Sequence, residues 1–290
     1  MQSKLSGRFR RATVFAAVLL LSNALWGLCA GAEVPRRVVS ANLCADQLLL
    51  ALGDPDQVVS LSPYAKNPQM SFLADEARPF PTNLGSGEDL VRLQADLVLV
   101  GPYDSRYTRQ LLATQKMEFM VLEPWSRFED GRAQIRELAN RLGHPGRGDH
   151  LIDEIGRAFD EVKNLARVGD RPLSNLVLHR RGYVFHSGIT GEMADLAGFR
   201  DAAPLLGVKG AGFVQLEKLV ANRPDYLIVA GNPADAEDQG EALLIHPALL
   251  KLFPLDRRMV LPDRLTICGG PSTPTLIRQF ADEIKAKVHR

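Results

Sequence analysis

Three aromatic side chains that could line a binding site follow short apolar runs of the chain. Tyr64, Tyr103 and Trp125 come after runs that predict strands at 58–61, 97–100 and 119–122. Each ring offers a flat apolar face and a polar edge, which suit a large planar or amphipathic ligand. Tyr103 is the strongest candidate because it directly follows a strand and a Gly-Pro turn. Core packing is the alternative for all three.

Basic and glycine-rich segments add possible contacts for an anionic ligand. Arg180, Arg181 and Arg264 could meet carboxylates, and a solvated surface position is the alternative for each. His186 follows another predicted strand. The segment 267–273 precedes the last predicted helix, so its backbone N–H groups could receive an anionic group. The alternative for that segment is a plain capped turn.

The elements that must position these residues are duplicated. Glu88–Val100 and Glu217–Val229 each have a glutamate opening a short amphipathic helix, then a turn with an aspartate, then a buried strand, at identical spacing. Such a repeat predicts two similar lobes with a cleft between them. Strands alternate with helices along both halves, which is typical of parallel sheets covered on both faces. In such sheets ligands bind beyond the carboxyl ends of the strands.

Apolar residues at helical spacing predict one long helix from 148 to 168, bounded by Pro145-Gly146 and by Gly169 and Pro172. We interpret it as a rigid connector, and an ordinary surface helix is the alternative. The predicted fold is therefore α/β, with two Rossmann-like lobes joined by one long helix. The expected division is a signal peptide at 1–32, a first lobe at 33–145, a connecting helix at 146–170 and a second lobe at 171–290.

The N-terminal segment has the plan of a secretory signal peptide. A basic start precedes an apolar stretch from Val14 to Leu28, and Ala30-Gly31-Ala32 is a small-residue cleavage signature. The stretch is shorter than the roughly twenty apolar residues of a membrane anchor. We expect cleavage after Ala32 and export from the cytoplasm.

Cleavage would leave two cysteines, Cys44 and Cys268, in predicted strand-to-helix turns of opposite lobes. Three alternatives stay open: a disulfide that links the cleft walls, two thiols available to a ligand or metal, or unrelated small buried residues. A disulfide requires α-carbons within about 7 Å, which opposite walls do not automatically satisfy.

Composition and motifs exclude several classes of function. Hydrophobic residues make up 46% and charged residues 24% of the chain, as in soluble globular proteins. The net charge of +1 gives no electrostatic basis for nucleic-acid binding. The sequence lacks a G-x-S-x-G elbow, a P-loop and a dinucleotide fingerprint, and its six histidines show no H-x-x-x-H spacing. Nothing in the sequence therefore predicts an enzyme or a metal site.

The chain resembles the class III substrate-binding proteins of ABC importers, the periplasmic proteins for corrinoids, ferric siderophores and haem. The order and spacing of several segments carry the resemblance: Arg37–Ser40 through Ala51–Gly53, Leu93–Leu99, Thr190-Gly191 to Leu196–Phe199, and Leu219–Val229. It implies a monomeric periplasmic protein that captures an iron chelate or a corrinoid, with only modest closure. No other cofactor is implied, because the ligand itself would be an iron or cobalt complex.

The resemblance also implies a partner and residues that contact it. Glu88 and Glu217 match the surface glutamates with which that family docks into arginine pockets of its inner-membrane permease. A favourable interaction of each glutamate with its own helix N-terminus is the alternative. Ligand contacts are expected from the aromatic residues, from Arg180, Arg181 and Arg264, and from Cys268. His186 is a possible axial haem ligand, and a ferric chelate is slightly favoured. The competing functions are an exported α/β hydrolytic enzyme and a bare transition-metal binder.

Overall fold

The computed structural model describes residues 33–104, 106–165, 173–178, 182–185, 188–209, 211–230 and 245–288. The first lobe contains β1 (Val38–Ser40), α1 (Leu43–Leu52), β2 (Val58–Ser60), α2 (Gly87–Arg92), β3 (Leu97–Val100), α3 (Arg106–Thr114), β4 (Phe119–Val121) and α4 (Phe128–Arg141). The long helix α5 (Pro145–Leu165) follows. It begins three residues before the predicted start.

The second lobe contains β5 (Ser174–Leu178), β6 (Tyr183–Phe185), α6 (Gly188–Leu196), β7 (Arg200–Asp201), β8 (Ala211–Phe213), α7 (Leu216–Ala221) and β9 (Tyr226–Ala230). It ends with α8 (Pro247–Leu252), β10 (Arg258–Leu261), α9 (Asp263–Thr266) and α10 (Thr273–Lys287). Short 3-10 turns at Pro55–Gln57, Pro63–Lys66, Ala203–Leu206 and Leu255–Arg257 complete the described elements. Among the described residues, no helix is long and apolar enough to cross a membrane.

Each lobe is built on one sheet, as predicted. The first has the order β2-β1-β3-β4 and is parallel throughout. The second has the order β10-β9-β5-β6-β8, with β7 beside β5. Here β5, β9 and β10 are parallel, but β6 runs antiparallel to both β5 and β8. The expected central parallel sheets are therefore confirmed, and β6 is an antiparallel exception near one edge of the second sheet. Only 179–182 separate β5 from β6, and a parallel crossover needs a dozen or more residues.

The duplicated segments form equivalent units, and the structure explains their shared aspartate. In the first lobe, the Asp96 carboxylate accepts hydrogen bonds from the backbone N–H groups of Arg36 and Arg37, at 2.9 and 3.0 Å, just before β1. In the second lobe, Asp225 accepts from the N–H of Ser174, at 2.8 Å, at the start of β5. Each aspartate thus ties the start of β3 or β9 to the first strand of its own lobe.

Helix α5 packs against both lobes, as a connector should. It contacts α1 and α4 of the first lobe, and α6 and α10 of the second. Its buried residues Ile155 and Val162 belong to one hydrophobic cluster that also includes Leu97 of the first sheet and Ile228 of the second. Arg278 of α10 adds an ion pair to Glu154 at 3.5 Å. The two lobes therefore share a core, and separating them would expose apolar surface on both.

Two glycines of α5 provide a test of this packing. A Cβ at Gly148 would lie 2.6 Å from the Ala139 Cβ of α4, whereas a Cβ at Gly156 would meet nothing within 4 Å. We expect Gly156→Ala to raise the free energy of unfolding by about 0.5–1 kcal/mol, since alanine favours helix. Gly148→Ala should lower it by about 1–3 kcal/mol through overpacking. Urea unfolding measures both, and equal effects of the two variants would contradict the close approach of α4 and α5.

Candidate functional site

A cavity of about 530 Å³ lies between the lobes at the carboxyl ends of the strands. The first lobe contributes residues that follow β1, β3 and β4, and the second contributes the start of α6 and the segment between α9 and α10. The volume is within the range of about 300–1,000 Å³ for small-molecule sites. The cavity therefore occupies the position that the strand-end rule predicts.

All three aromatic candidates line this cavity, with very different exposure. Tyr103 is 90% exposed and Tyr64 is 54% exposed, so both present ring surface at the rim. Trp125 is 8% exposed. Ligand contact by these residues stays a prediction, but only the two tyrosines have large free surfaces to offer.

The Trp125 ring is fixed on both sides. A Cβ at Gly131 of α4 would lie 2.5 Å from the ring, and a Cβ at Gly269 of the second lobe would lie 2.3 Å from it. Both positions need glycine for this close approach. The indole N–H donates to Gln134 Oε1 at 3.1 Å. Trp125 is therefore a buried wall of the cavity that packs against both lobes, and its contact with a ligand stays a prediction.

Cys44 and Cys268, for which the sequence left three alternatives, are joined by a disulfide in the cavity wall. Their α-carbons are 5.2 Å apart, within the usual range for a disulfide. The bond connects the start of α1 in the first lobe to the segment before α10 in the second.

Hydrogen bonds near the start of α4 join the lobes at a second place. The Gly188 N–H donates to the Ser126 carbonyl at 3.2 Å, and the Phe128 N–H donates to Glu192 Oε2 at 2.6 Å. Arg127 lies 3.8 Å from the same Glu192 carboxylate. Together with the disulfide, these bonds fix the base of the cavity.

The Tyr103 loop is held by polar contacts on both sides. Asp104 accepts hydrogen bonds from the Gly101 N–H at 2.5 Å and from Asn42 Nδ2 at 3.2 Å. Asn42 also accepts from the Ala45 N–H and so caps α1. Arg109 donates to the carbonyls of Gly101 and Pro102. The most exposed ring of the rim is thus carried by a constrained backbone.

The Tyr64 turn depends on a buried carboxylate. Asp46 of α1 is fully buried and accepts from the Ser62 N–H at 2.9 Å and from the Ser62 hydroxyl at 2.5 Å. Burial raises the pKa of Asp46 to about 6, and the hydrogen bonds from Ser62 and Ser40 oppose that rise. Asp46 therefore positions the start of the 3-10 turn that carries Tyr64.

The remaining sequence candidates are distributed differently. Arg180, Arg181 and His186 lie outside the described residues, so their placement stays a prediction. Arg264 of α9 is exposed and is not among the residues that line the cavity. In the segment before α10, Gly270 N–H donates to Thr273 Oγ1 at 2.9 Å, and Ser272 and Thr273 are fully buried. The Thr273 hydroxyl therefore occupies one N–H group of this segment, and reception of an anionic group by the others stays a prediction.

Several site residues were missed by the sequence interpretation. Ile189 and Thr190 line the cavity because α6 begins at Gly188, one turn before the predicted start at Glu192. Gly188 has φ of 81°, a conformation that favours glycine. The glycine at this position was the signal in the sequence that could have indicated where α6 begins. Asp46 was also missed, although a carboxylate inside the apolar run 45–52 is itself unusual. Among the described residues, no group of three His, Cys, Asp or Glu could hold a metal ion.

Comparison with known proteins agrees with this architecture. The sequence model of a family described as periplasmic binding protein matches residues 38–252. No functionally curated protein matches the sequence. The fold is similar to periplasmic heme-binding protein RhuT from Roseiflexus sp. RS-1, with a TM-score of 0.67 and 22% identity over 88% of this chain and 98% of that chain.

Two further solved structures are similar over nearly the same extent. A periplasmic heme-binding protein from Pseudomonas aeruginosa has a TM-score of 0.65 and 20% identity, covering 88% of this chain and 93% of that chain. The periplasmic vitamin B12 binding protein BtuF of Vibrio cholerae has a TM-score of 0.65 and 14% identity, covering 89% and 99%. At these identities the likeness describes the two-lobe fold and not the ligand.

The buried Asp46 carboxylate predicts a pH dependence of stability. Its pKa is raised in the folded state from 3.8 to about 6, so its contribution is most favourable below about pH 4 and is lost as pH rises through 6. We expect the free energy of unfolding of the unaltered protein to fall by on the order of 2–3 kcal/mol relative to Asp46→Asn between pH 4 and pH 7. Urea unfolding at four pH values measures this, and parallel curves for the two proteins would contradict it.

Proposed function

Because the chain belongs to the periplasmic binding protein family, we propose that its cavity binds haem and that the loaded protein delivers haem to the permease of an ABC importer. The family consists of solute-binding proteins of the periplasm and not of enzymes. The interlobe cavity with two exposed tyrosines at its rim is the observation that carries the proposal. We also propose that 1–32 is a cleaved leader, that the lobes divide at 145 and 171, and that the protein is monomeric.

The cavity favours a flat ligand with an apolar body. Tyr64 and Tyr103 offer exposed rings, while Leu43, Leu48 and Leu122 are buried apolar residues of the wall. Tyrosine is one of the side chains that ligate haem iron in proteins. We assign Tyr64 this role, because Asp46 holds its turn against the first lobe and its side chain remains half exposed. Solved proteins of this fold from two organisms are described as heme-binding, which supports the choice of haem as the ligand.

The proposal is tested by adding haemin, cobalamin and ferric siderophores separately to the mature protein. We expect haemin to bind at one site per chain, with an absorption spectrum typical of a tyrosine ligand. Tyr64→Phe should weaken haemin binding by at least about tenfold, or about 1.4 kcal/mol, and should remove that spectrum. Tyr103→Phe, a change of the same chemistry at the other rim tyrosine, should leave the spectrum unchanged.

Other outcomes would separate the parts of the proposal. Binding of cobalamin or a ferric siderophore without haemin would refute haem and leave the solute-binding role in place. Haemin binding with an unchanged spectrum in Tyr64→Phe would refute the assignment of Tyr64, and His186 would then be the next residue to replace.

Glu88 and Glu217 are proposed as the contacts to the permease. Both are exposed in the first turns of the equivalent helices α2 and α7. Within the described part of the chain, neither has a Lys or Arg partner at ion-pair distance. An exposed carboxylate on each lobe suits a two-fold symmetric permease with one arginine pocket in each half, since arginine and carboxylate form directional, bidentate pairs.

Replacing these glutamates should affect delivery and not capture. In proteoliposomes that contain the importer, we expect Glu88→Ala with Glu217→Ala to raise the concentration for half-maximal stimulation of ATP hydrolysis by at least about tenfold. Haemin affinity should be unchanged. Glu137→Ala, at an exposed position of α4, is the matched control. Unaltered stimulation by the double variant would refute the docking assignment.

A further inference from the structure

A second matched feature, an exposed apolar side chain, precedes each of the duplicated segments. Leu84 precedes Glu88 by four residues, and Phe213 precedes Glu217 by four residues. Leu84 is 81% exposed and Phe213 is 69% exposed. A single exposed apolar residue is common on protein surfaces and needs no explanation. Two such residues, each four positions before a proposed docking carboxylate in one copy of the repeat, point to a shared role.

Both side chains lie on the side of the molecule where the cavity is found. Asn83 donates from Nδ2 to the Ser40 carbonyl at 2.8 Å, which places the segment before α2 at the carboxyl end of β1. In the second lobe, the Val214 N–H donates to the Gly182 carbonyl at 2.9 Å, between the end of β5 and the start of β6. Neither Leu84 nor Phe213 lines the cavity. They therefore flank the ligand site and are not part of it.

The backbone that displays Leu84 is fixed. The Leu84 N–H donates to Asp89 Oδ2 at 2.8 Å, and this hydrogen bond is the largest cause of the lowered pKa of Asp89. The following Gly85 N–H donates to Asn83 Oδ1 at 2.9 Å, and Asn83 is itself buried. A side chain held in this way loses little backbone freedom when a partner covers it.

Phe213 is fixed by different contacts to the same effect. It ends β8, where it pairs with Tyr183 of β6. The two rings meet edge to face, with centroids 5.3 Å apart. The aromatic pair leaves most of the Phe213 surface exposed, and burial of that apolar surface by a partner would be favourable. Such surface four residues before Glu217 suits an interface with an apolar centre and a charged contact beside it.

We propose that Leu84 and Phe213 are apolar anchors that enter equivalent shallow depressions in the two halves of the permease, next to the arginines that receive Glu88 and Glu217. This inference rests on the proposed docking function and specifies its surface. The charged pairs set orientation, and the apolar anchors supply affinity that salt does not screen. Each apolar anchor lies four residues before its glutamate in both lobes. A partner with two-fold symmetry would offer the same pair of contacts to each lobe.

The experiment uses haemin-loaded mature protein and the importer in proteoliposomes. We expect Leu84→Ser and Phe213→Ser each to raise the concentration for half-maximal stimulation of ATP hydrolysis by roughly tenfold or more, from the burial of one large apolar side chain. Stimulation by the unaltered protein should persist at high salt better than a purely charged contact would allow. Haemin affinity should be unchanged in both variants.

Leu255→Ser is the matched control, because Leu255 is 80% exposed but lies just before β10, at the amino ends of the strands. It should stimulate hydrolysis like the unaltered protein. A second measurement places p-benzoylphenylalanine at 84, 213 or 255 in otherwise unaltered protein. Irradiation should link positions 84 and 213, but not 255, to the membrane subunit of the importer.

The outcomes distinguish this inference from the docking proposal beneath it. If Leu84→Ser and Phe213→Ser behave like Leu255→Ser, and neither 84 nor 213 forms a crosslink, the anchors are refuted. Loss of stimulation in the double glutamate variant would then leave docking itself in place. If the glutamate variant also stimulates normally, the docking proposal and the anchors fail together.

Discussion

The cavity depends on the junction between the lobes. One hydrophobic cluster runs from the first sheet through α5 to the second sheet, so the lobes cannot separate without exposing their common core. The Cys44–Cys268 disulfide and the packing of Gly269 against Trp125 add a covalent and a steric link beside the cavity. Hydrogen bonds from Gly188 and Phe128 fix the other end of the base. A ligand therefore meets a cavity whose walls are already in position, and the cost of ordering them is paid during folding.

At the rim of the cavity, buried and half-buried polar groups determine the positions of the Tyr64 and Tyr103 side chains. Asp46 holds the turn of Tyr64, and the Asn42–Asp104 pair holds the loop of Tyr103. Each of these carboxylates accepts two hydrogen bonds from its loop or neighbouring helix, which suits a buried or half-buried acceptor. A carboxylate also positions the outer surface near Glu88, because Asp89 accepts a hydrogen bond from the Leu84 N–H. The rim of the cavity and the surface around Glu88 are thus separate, and a carboxylate that accepts hydrogen bonds positions each of them.

Sequence patterns predicted most of the frame and less of the site. The repeat of Glu88–Val100 in Glu217–Val229 predicted two lobes because both copies keep the same helix, turn and strand. Strand-end rules then placed Tyr64, Tyr103 and Trp125 near the cleft. Local patterns did not predict the antiparallel strand β6, since a periodicity of two carries no strand direction. They also left Cys44 and Cys268 open, because the distance between two residues 224 positions apart is set by the packing of the lobes. The exposure of Arg264 was likewise not predictable, because it depends on how α9 packs in the folded protein.

The most direct test of the account is the distance between the lobes, measured with and without ligand. Spin labels at Thr114→Cys of α3 and Lys251→Cys of α8 occupy exposed positions in opposite lobes and leave the native disulfide intact. Pulsed electron paramagnetic resonance would give the distance distribution before and after haemin is added. A fixed junction predicts that the two distributions coincide. A shift of the mean distance by more than about 2 Å on binding would contradict a cavity formed in advance.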